Sequence, residues 1–584
     1  MTGNIDAFAA QTACGRQGAV APTARRRLLA IGIGGGCALL ALALWAAYAR
    51  FSQTVSTNSD GASNALQAWQ MLHGNPLLRG WTLSDVSFYT TELPQYMLVE
   101  LAAGLNANVI HLAAGLTYTL ALIGAAALAA GRARGRAAVI GACIAAGIML
   151  DPQGADGVVV LLSSPDHIGT SVPIMLAWLI LDRTRPGWAA AIAVSLVLGW
   201  AAVADSVVTY AAIVPLVLVV ALRVGIALIR DRALPWRRTL AARRYEIALA
   251  VGAVVALALA HLALRVIAAL GGFVSPGPTS SVAPVGLIVA HNLPVIGRGL
   301  LLLFGADFLD YHGPLLALHL VSVVLVAGGA ALAARSLLTG RDLVAQLLLA
   351  GVTVNLAVFI VSTNVGGLPT MREVDVVLPL GAALAGRQLG PRIADALTAR
   401  SRSSRTSEPT AAAQTAGPSS RAAWLSRPAA LGLLAVLGLV GAGYAAGLAQ
   451  AISTPVAVSS EQRLAAWLES RHLNSGLADF WRSNAVTLFS QGAVRVRLVG
   501  VGYRRQPQVL VRGVRESYAG WYAPRANTAD FVVLAPYTAQ YAGFTDLAAV
   551  TATFGQPTRT YQYDGYTILV WPHANLLTAL APAS

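Results

Sequence analysis

No lysine occurs anywhere in the 584 residues, so all 41 basic side chains are arginines. That uniformity reads as GC-rich coding bias rather than as a binding surface, and the net charge of +15 is no argument for nucleic acid. Charge of either sign is scarce: 11% of residues are charged, against roughly 25% in soluble domains, and 56% are hydrophobic. Such a composition excludes a soluble chain and points to a membrane protein. Cysteine is nearly missing as well. Cys14, Cys37 and Cys143 have neither metal spacing nor an obvious pair, which excludes a disulfide framework and a zinc site. Walker, Rossmann and HExxH patterns are all absent, so chemistry on soluble nucleotides has no support.

What is present is a series of apolar runs. A span needs about 20 apolar residues, and runs near 28–49, 108–130, 137–150, 169–182, 188–204, 207–222, 246–270, 314–334, 343–361, 374–386 and 428–450 qualify or come close. The expectation is a polytopic α-helical membrane protein of about 11 transmembrane helices. Stretches 93–105 and 284–305 are interrupted and read as re-entrant or interfacial. Arg25-Arg26-Arg27 before the first run, with Ala47-Tyr48-Ala49 at its end, has some look of a signal peptide. The run is long for one, and it is read as an uncleaved helix.

Arginine sorts the loops. Arg132 to Arg136, Arg183 and Arg185, Arg223 to Arg244, Arg335 and Arg341, and Arg387 to Arg427 fall in alternate loops. The other set holds only Arg50, Arg79, Arg298 and Arg372, with Arg265 inside a span. The positive-inside rule then places the N-terminal tail 1–27 in the cytoplasm and the C-terminus outside. Between the spans at 28–387 and the last helix, 428–450, residues 388–427 are rich in Ser, Thr, Ala, Pro and Arg and read as a disordered cytoplasmic linker. Residues 455–584 change character. A helical SSEQRLAAWLESRHL is followed by β-rich AVTLF, AVRVRLVG, DFVVLA and YTILVW, which makes a small extracytoplasmic α/β domain.

With that topology the polar residues gather outside: Asp60, Asp85, Glu92, Asp151, Asp156, Asp166, His167, Asp307, Asp310, His312, Arg372 and Glu373. The first outer loop, 50–107, carries STNSDGASNALQAWQMLHGN, in which Ala62, Ala65, Leu66, Trp69 and Leu72 repeat at helical spacing. That predicts a short helix on the membrane surface with Asp60 at its N-cap. A cap needs no further role, so cap and catalytic carboxylate both stay open. His261 and Arg265 are an i,i+4 pair near the outer end of a span, where an arginine either snorkels or serves a site. DFLDYHG at 307–313 and the acids Asp151, Asp156 and Asp166 are cap and turn residues first and cation ligands second. Trp467, Trp481, Trp521, Tyr522 and Trp571 read mainly as domain core, with WYAPRAN at 521–527 the most loop-like sugar contact.

Asp60 after the first span, MLHGN at 71–75, TELPQYMLVELAAGL at 91–105, TMREVDVVLPLGAALAGR at 370–387 and LADFWRSNAVTLFSQGAVRV at 477–496 together resemble the GT-C superfamily of membrane glycosyltransferases. The resemblance implies transfer of a sugar, hexosyl or pentosyl, from a polyprenyl-phosphate donor to an extracytoplasmic glycan, lipid or protein acceptor. It implies Asp60 as the base that takes the acceptor proton, Arg372 and secondarily Arg265 as clamps on the departing phosphate, and Asp166 and His167 as further catalytic groups. Asp85, Glu92 and Trp521 are the expected substrate contacts. No cofactor follows with certainty, and a divalent cation is compatible with the acids. The chain departs from the family at Gly61, where some members have an acid, and at Asp166-His167, where a clear acidic pair is missing. Two other classes compete. A secondary transporter would place polar groups at mid-membrane on repeated halves, and Asn355 is the clearest such residue. A membrane-anchored cell-envelope binding protein would need far fewer spans.

Overall fold

The computed structural model describes residues 24–403 and 426–582, apart from 155, 233–234, 278–279, 311, 314, 338–341, 503–507 and 537–543. The expected N-terminal tail up to residue 23 and the linker from 404 to 425 lie outside the described residues. The helices are α1 (Ala24–Ser52), α2 (Ser59–Leu72), α3 (Glu92–Ala103), α4 (Asn108–Ala130), α5 (Arg136–Met149), α6 (Asp156–Leu162) and α7 (Ser171–Arg183). They continue with α8 (Trp188–Ala204), α9 (Thr209–Arg230), α10 (Trp236–Ala242), α11 (Arg244–Ala269), α12 (Val285–Leu303), α13 (Leu316–Ser336), α14 (Leu343–Ile360), α15 (Val377–Ser403) and α16 (Arg427–Ser453). Eight of the described helices are long and apolar enough to cross a membrane, and α6 with the segment His167–Arg183 makes an apolar pair bent by 52° at a short break. With the shorter apolar α5 and α8 beside them, the chain is a multi-pass membrane protein.

Helix α12 is long and apolar enough for a span, yet its contacts put both of its ends at one end of the bundle. Ala283, just before it, bonds to Val361 at the end of α14, and Gly305, just after it, lies against His319 at the start of α13. Helices α13 and α14 are consecutive and joined by a short connection, so those two points share one end. At 1.5 Å per residue, a helix of this length lies across that end rather than through the bundle, as the interrupted 284–305 run suggests.

The expected linker needs correction over its first part, because residues 388–403 continue α15. Gly390 packs on the backbone of Gly141, and Leu389, Ile393 and Ala396 are buried. Composition alone cannot report that an alanine-rich helix finds a groove narrow enough for glycine-on-glycine contact.

The C-terminal domain caps the end of the bundle where α12 lies. It adds α17 (Ser460–Ser470), α18 (Phe480–Phe489) and α19 (Leu547–Phe554) to a six-stranded sheet. The sheet order is β4 (Val509–Arg512), β3 (Arg495–Gly502), β2 (Ser475–Ala478), β6 (Phe531–Leu534), β8 (Tyr566–Val570) and β7 (Arg559–Tyr563). The AVTLF stretch, expected as β, is helical within α18. Asp479 caps that helix through Trp481 N, and Thr487 Oγ1 donates within it to Ser483, so capping and packing override β propensity. A second, two-stranded sheet joins the domain to the first long loop: β1 (Trp81–Thr82) pairs antiparallel with β5 (Ser517–Tyr518).

Candidate functional site

Helix α2 begins where the chain leaves α1. Its N-cap is Asn58, whose Oδ1 accepts from Gly61 N at 3.0 Å, and not Asp60. The expectation of an Asp60 cap is therefore corrected: asparagine two residues earlier takes the orphan amide, and Asp60 stands in the first turn with its carboxylate free to reach elsewhere. Nor does α2 lie exposed on a membrane surface. Residues 59–68 are buried, with Ser59 Oγ donating to Phe480 O of α18, so the helix is sandwiched between bundle and C-terminal domain. Gly61 also has its reason. A Cβ there would come within 3.0 Å of Ile110 and 3.2 Å of Ser164, so any larger residue would have to push those neighbours aside.

Asp60 Oδ2 accepts from Arg372 Nη1 at 2.7 Å, across 312 positions of sequence. Arg372 lies in the 3-10 turn Leu368–Val374 that leads into α15. The same nitrogen is 3.5 Å from Asp166 Oδ2, which also accepts from Ser164 Oγ at 2.6 Å. The remaining oxygens, Asp60 Oδ1 and Asp166 Oδ1, are buried with no partner. The two carboxylates hold the Arg372 guanidinium even further above its normal range. These groups line a polar cavity of about 40 Å³ together with Asn64, Ser84, Asp85, Phe88, His167, Glu373, Arg515 and Glu516. A cavity of that size holds a few waters and not a sugar ring.

His167 joins the group through Asp205 and Glu373, at 2.8 Å and 3.2 Å from its two ring nitrogens. Asp205, at the C-terminal end of α8, escapes sequence reasoning because it follows an apolar run as an ordinary span end. Arg515 and Glu516 escape it for a different reason: nothing local in RGVRESYAG signals that it returns to α2. Glu516 is buried with Oε2 unpartnered, and burial pushes its carboxyl well above the usual range. Backbone strain is concentrated here too. Phe88, Asp166 and Glu516 have φ of 50°, 21° and 48°, a region that non-glycine residues rarely occupy.

The other expected residues fall in four places. Asp85 is exposed at the cavity wall. Glu92 is fully buried behind it, accepting from its neighbour Thr91 and held protonated-ward by desolvation. Trp521 and Arg265 are not among the cavity-lining residues. Trp521 packs edge-on against Trp81 at 5.0 Å and under the Arg497 guanidinium at 4.0 Å, which makes it part of the seam that seats the C-terminal domain. Arg265 is exposed on α11, and neighbouring His261 bonds back to Leu257 O. Asp307 and Asp310 both pair with Arg298, and among the described residues no group of three or more His, Cys, Asp and Glu is arranged to hold a metal ion. A much larger groove of about 940 Å³ runs between α8 and α11, but Trp188, Leu196, Trp200 and Val255 make it almost wholly apolar and suit it to lipid rather than to chemistry.

No protein-family model and no curated protein matches the chain. Among solved structures, the crystal structure of ArnT from Cupriavidus metallidurans in the apo state matches with a TM-score of 0.50 and 13% identity, covering 95% of this chain and 100% of that one. A second ArnT structure from the same organism, bound to undecaprenyl phosphate, gives a TM-score of 0.49 at 13% identity, over 94% and 99% of the two chains. At such identity the likeness concerns the fold alone: this chain has, over nearly its whole length, an ArnT-like fold.

Proposed function

We propose that this protein is a membrane glycosyltransferase that moves a sugar from a polyprenyl-phosphate donor to a hydroxyl acceptor on the extracytoplasmic side, where the C-terminal domain sits. The observation that carries the reading is the meeting of Asp60, Asp166 and Arg372, from three distant stretches of sequence, in one polar cavity at the capped end of the bundle. The acceptor oxygen attacks the anomeric carbon, the bond from that carbon to the phosphate oxygen breaks, and the electron pair leaves with the lipid phosphate. Asp60 takes the hydroxyl proton, and Arg372 stabilises the charge gained by the phosphate, a role suited to a forked and permanently charged donor.

The ion pair gives this chemistry an order. Arg372 is engaged by Asp60. A donor phosphate competes for the same guanidinium, and once it wins, the Asp60 carboxylate is released to face the acceptor hydroxyl. Donor binding thus precedes activation of the acceptor. The apolar groove between α8 and α11 supports a lipid-linked donor. It ends at Trp200 and Val203, where Thr90 and Ser87 bond to the backbone, and the adjoining Phe88 lines the cavity.

The test is transfer in proteoliposomes supplied with undecaprenyl-phosphate sugars. Wild-type protein forms a glycosylated product and Asp60→Asn, inserted normally, does not. Retained transfer by that variant removes Asp60 from the base role, and uptake of a solute without any glycan product favours a transporter.

A further inference from the structure

We propose that Asp205, His167 and Glu373 form a charged bridge that fixes the loop carrying Asp166 to the turn carrying Arg372, with His167 a positioning residue and not a proton carrier. The bridge itself is independent of the proposed reaction, and only its consequence for turnover rests on that reading.

Three separate pieces of chain meet on one buried imidazole. Nδ1 faces Asp205 Oδ2 at 2.8 Å, and Nε2 faces Glu373 Oε2 at 3.2 Å. Asp205 is held as an acceptor on both oxygens, by Thr170 Oγ1 at 2.6 Å and Val207 N at 2.9 Å. Glu373, half-buried and flanked by His167 and Arg372, has its carboxyl lowered to about 2 by those two cations. An ionised carboxylate can only accept, so with one on each side both ring nitrogens must donate, and an imidazole that donates twice is a cation. It then has no lone pair with which to take a proton from an acceptor.

The groups around the ring agree with this. Glu92 and Asp375 pack nearby, and burial pushes both carboxyls well above their usual range, toward the neutral form. Asp166 adjoins on the same segment, shared with Arg372, and Phe88 closes one side with its ring centroid at 5.6 Å. Asp205 and Glu373 are left as the counter-charges. The bridge matters because of sequence adjacency: Asp166 precedes His167, and Arg372 precedes Glu373. Fixing the second member of each pair sets the register in which the first members face each other and Asp60.

The experiment uses the full-length protein in lipid nanodiscs with ¹⁵N-labelled histidine. The chain has nine histidines, and the His167 signal is the one missing from His167→Gln. The expected result is a doubly protonated ring at pH 8, about 1.5 units above the ordinary midpoint of histidine, that turns neutral at that pH in Glu373→Gln or Asp205→Asn. A neutral His167 at pH 8 in the unmodified protein overturns the bridge. In the transfer assay with undecaprenyl-phosphate sugars, Glu373→Gln should lower kcat by about 10- to 100-fold, the size seen when supporting partners of a site are removed, with donor KM nearly unchanged. A raised KM at unaltered kcat would make Glu373 a donor contact and overturn positioning. If unmodified protein transfers no sugar while the imidazolium signal is present, the proposed function fails and the bridge stands.

Discussion

Arg372 and Arg387 stand on either side of the first turns of α15 and face opposite ends of the bundle, each between two aspartates. At Arg387 every donor is used. Its Nε and Nη2 bond Asp342 at 2.8 Å and 3.0 Å, Nη1 and Nη2 bond Asp182 at 3.2 Å and 2.8 Å, and Nη1 also reaches Leu128 O at 3.1 Å. Arg372 engages through one nitrogen, and each of its aspartates keeps a buried oxygen with nothing to bond. The same residue types therefore make a closed fastener at one end and an open, half-satisfied group at the other. Unmet hydrogen-bonding capacity in a buried site is costly, and under the proposed reaction the donor and acceptor would supply the missing partners.

The contrast breaks most sharply at Asp60. Asp60→Asn should cut sugar transfer by about 10²- to 10⁴-fold while the melting temperature in detergent stays near that of the parent. A large loss of stability instead would make the Arg372 group structural, like its counterpart. The opposite pattern is expected of Arg387→Ala, which strands the buried Asp182 beside the half-buried Asp342 and should cost about 3–5 kcal/mol in unfolding free energy. If that variant unfolds like the parent, the closed fastener is an illusion of geometry.

Arg372→Lys keeps the charge and loses the fork. Donor turnover should fall by about 10²-fold, measured as kcat/KM with undecaprenyl-phosphate sugars, since a point charge cannot grip the phosphate through two parallel donors. The smallest effect is one of pH. Glu373, lowered to about 2, adds stability that is fully present above the unfolded value near 4.3 and is lost as pH falls through the folded one. Thermal unfolding followed between about pH 5 and pH 2 should show a shallower acid decline in Glu373→Gln than in the parent.

Much of the bundle was legible from hydropathy, because a lipid solvent leaves few ways to satisfy a backbone. Asp60 and Arg372 were named through their resemblance to a known pattern, and the structure brings them to 2.7 Å. What was illegible is mostly long-range. Asn58 and Asp60 are equally good caps by type, and the structure gives the cap to Asn58 while Asp60 pairs with Arg372. Asp205 looks like any residue that ends a span. Residues 388–403 look like linker until Gly141 is placed beside Gly390. Arg515 and Glu516 belong to the site because the C-terminal domain folds back by way of α18 onto α2, and no local pattern encodes that return.

The small sheet of β1 and β5 has a consequence for how the two halves of the protein can be taken apart. Strand β5 starts at Ser517, directly after Glu516, and its partner β1 leads through Leu83 to Ser84 and Asp85 on the opposite cavity wall. The two walls are thus stitched together at a single short seam, reinforced by Trp81 against Trp521. Anything that grips the C-terminal domain from outside, whether a long polymeric acceptor or an antibody, also grips the rim of the cavity. The domain is part of the enclosure, and cutting it away would leave the carboxylates facing open water.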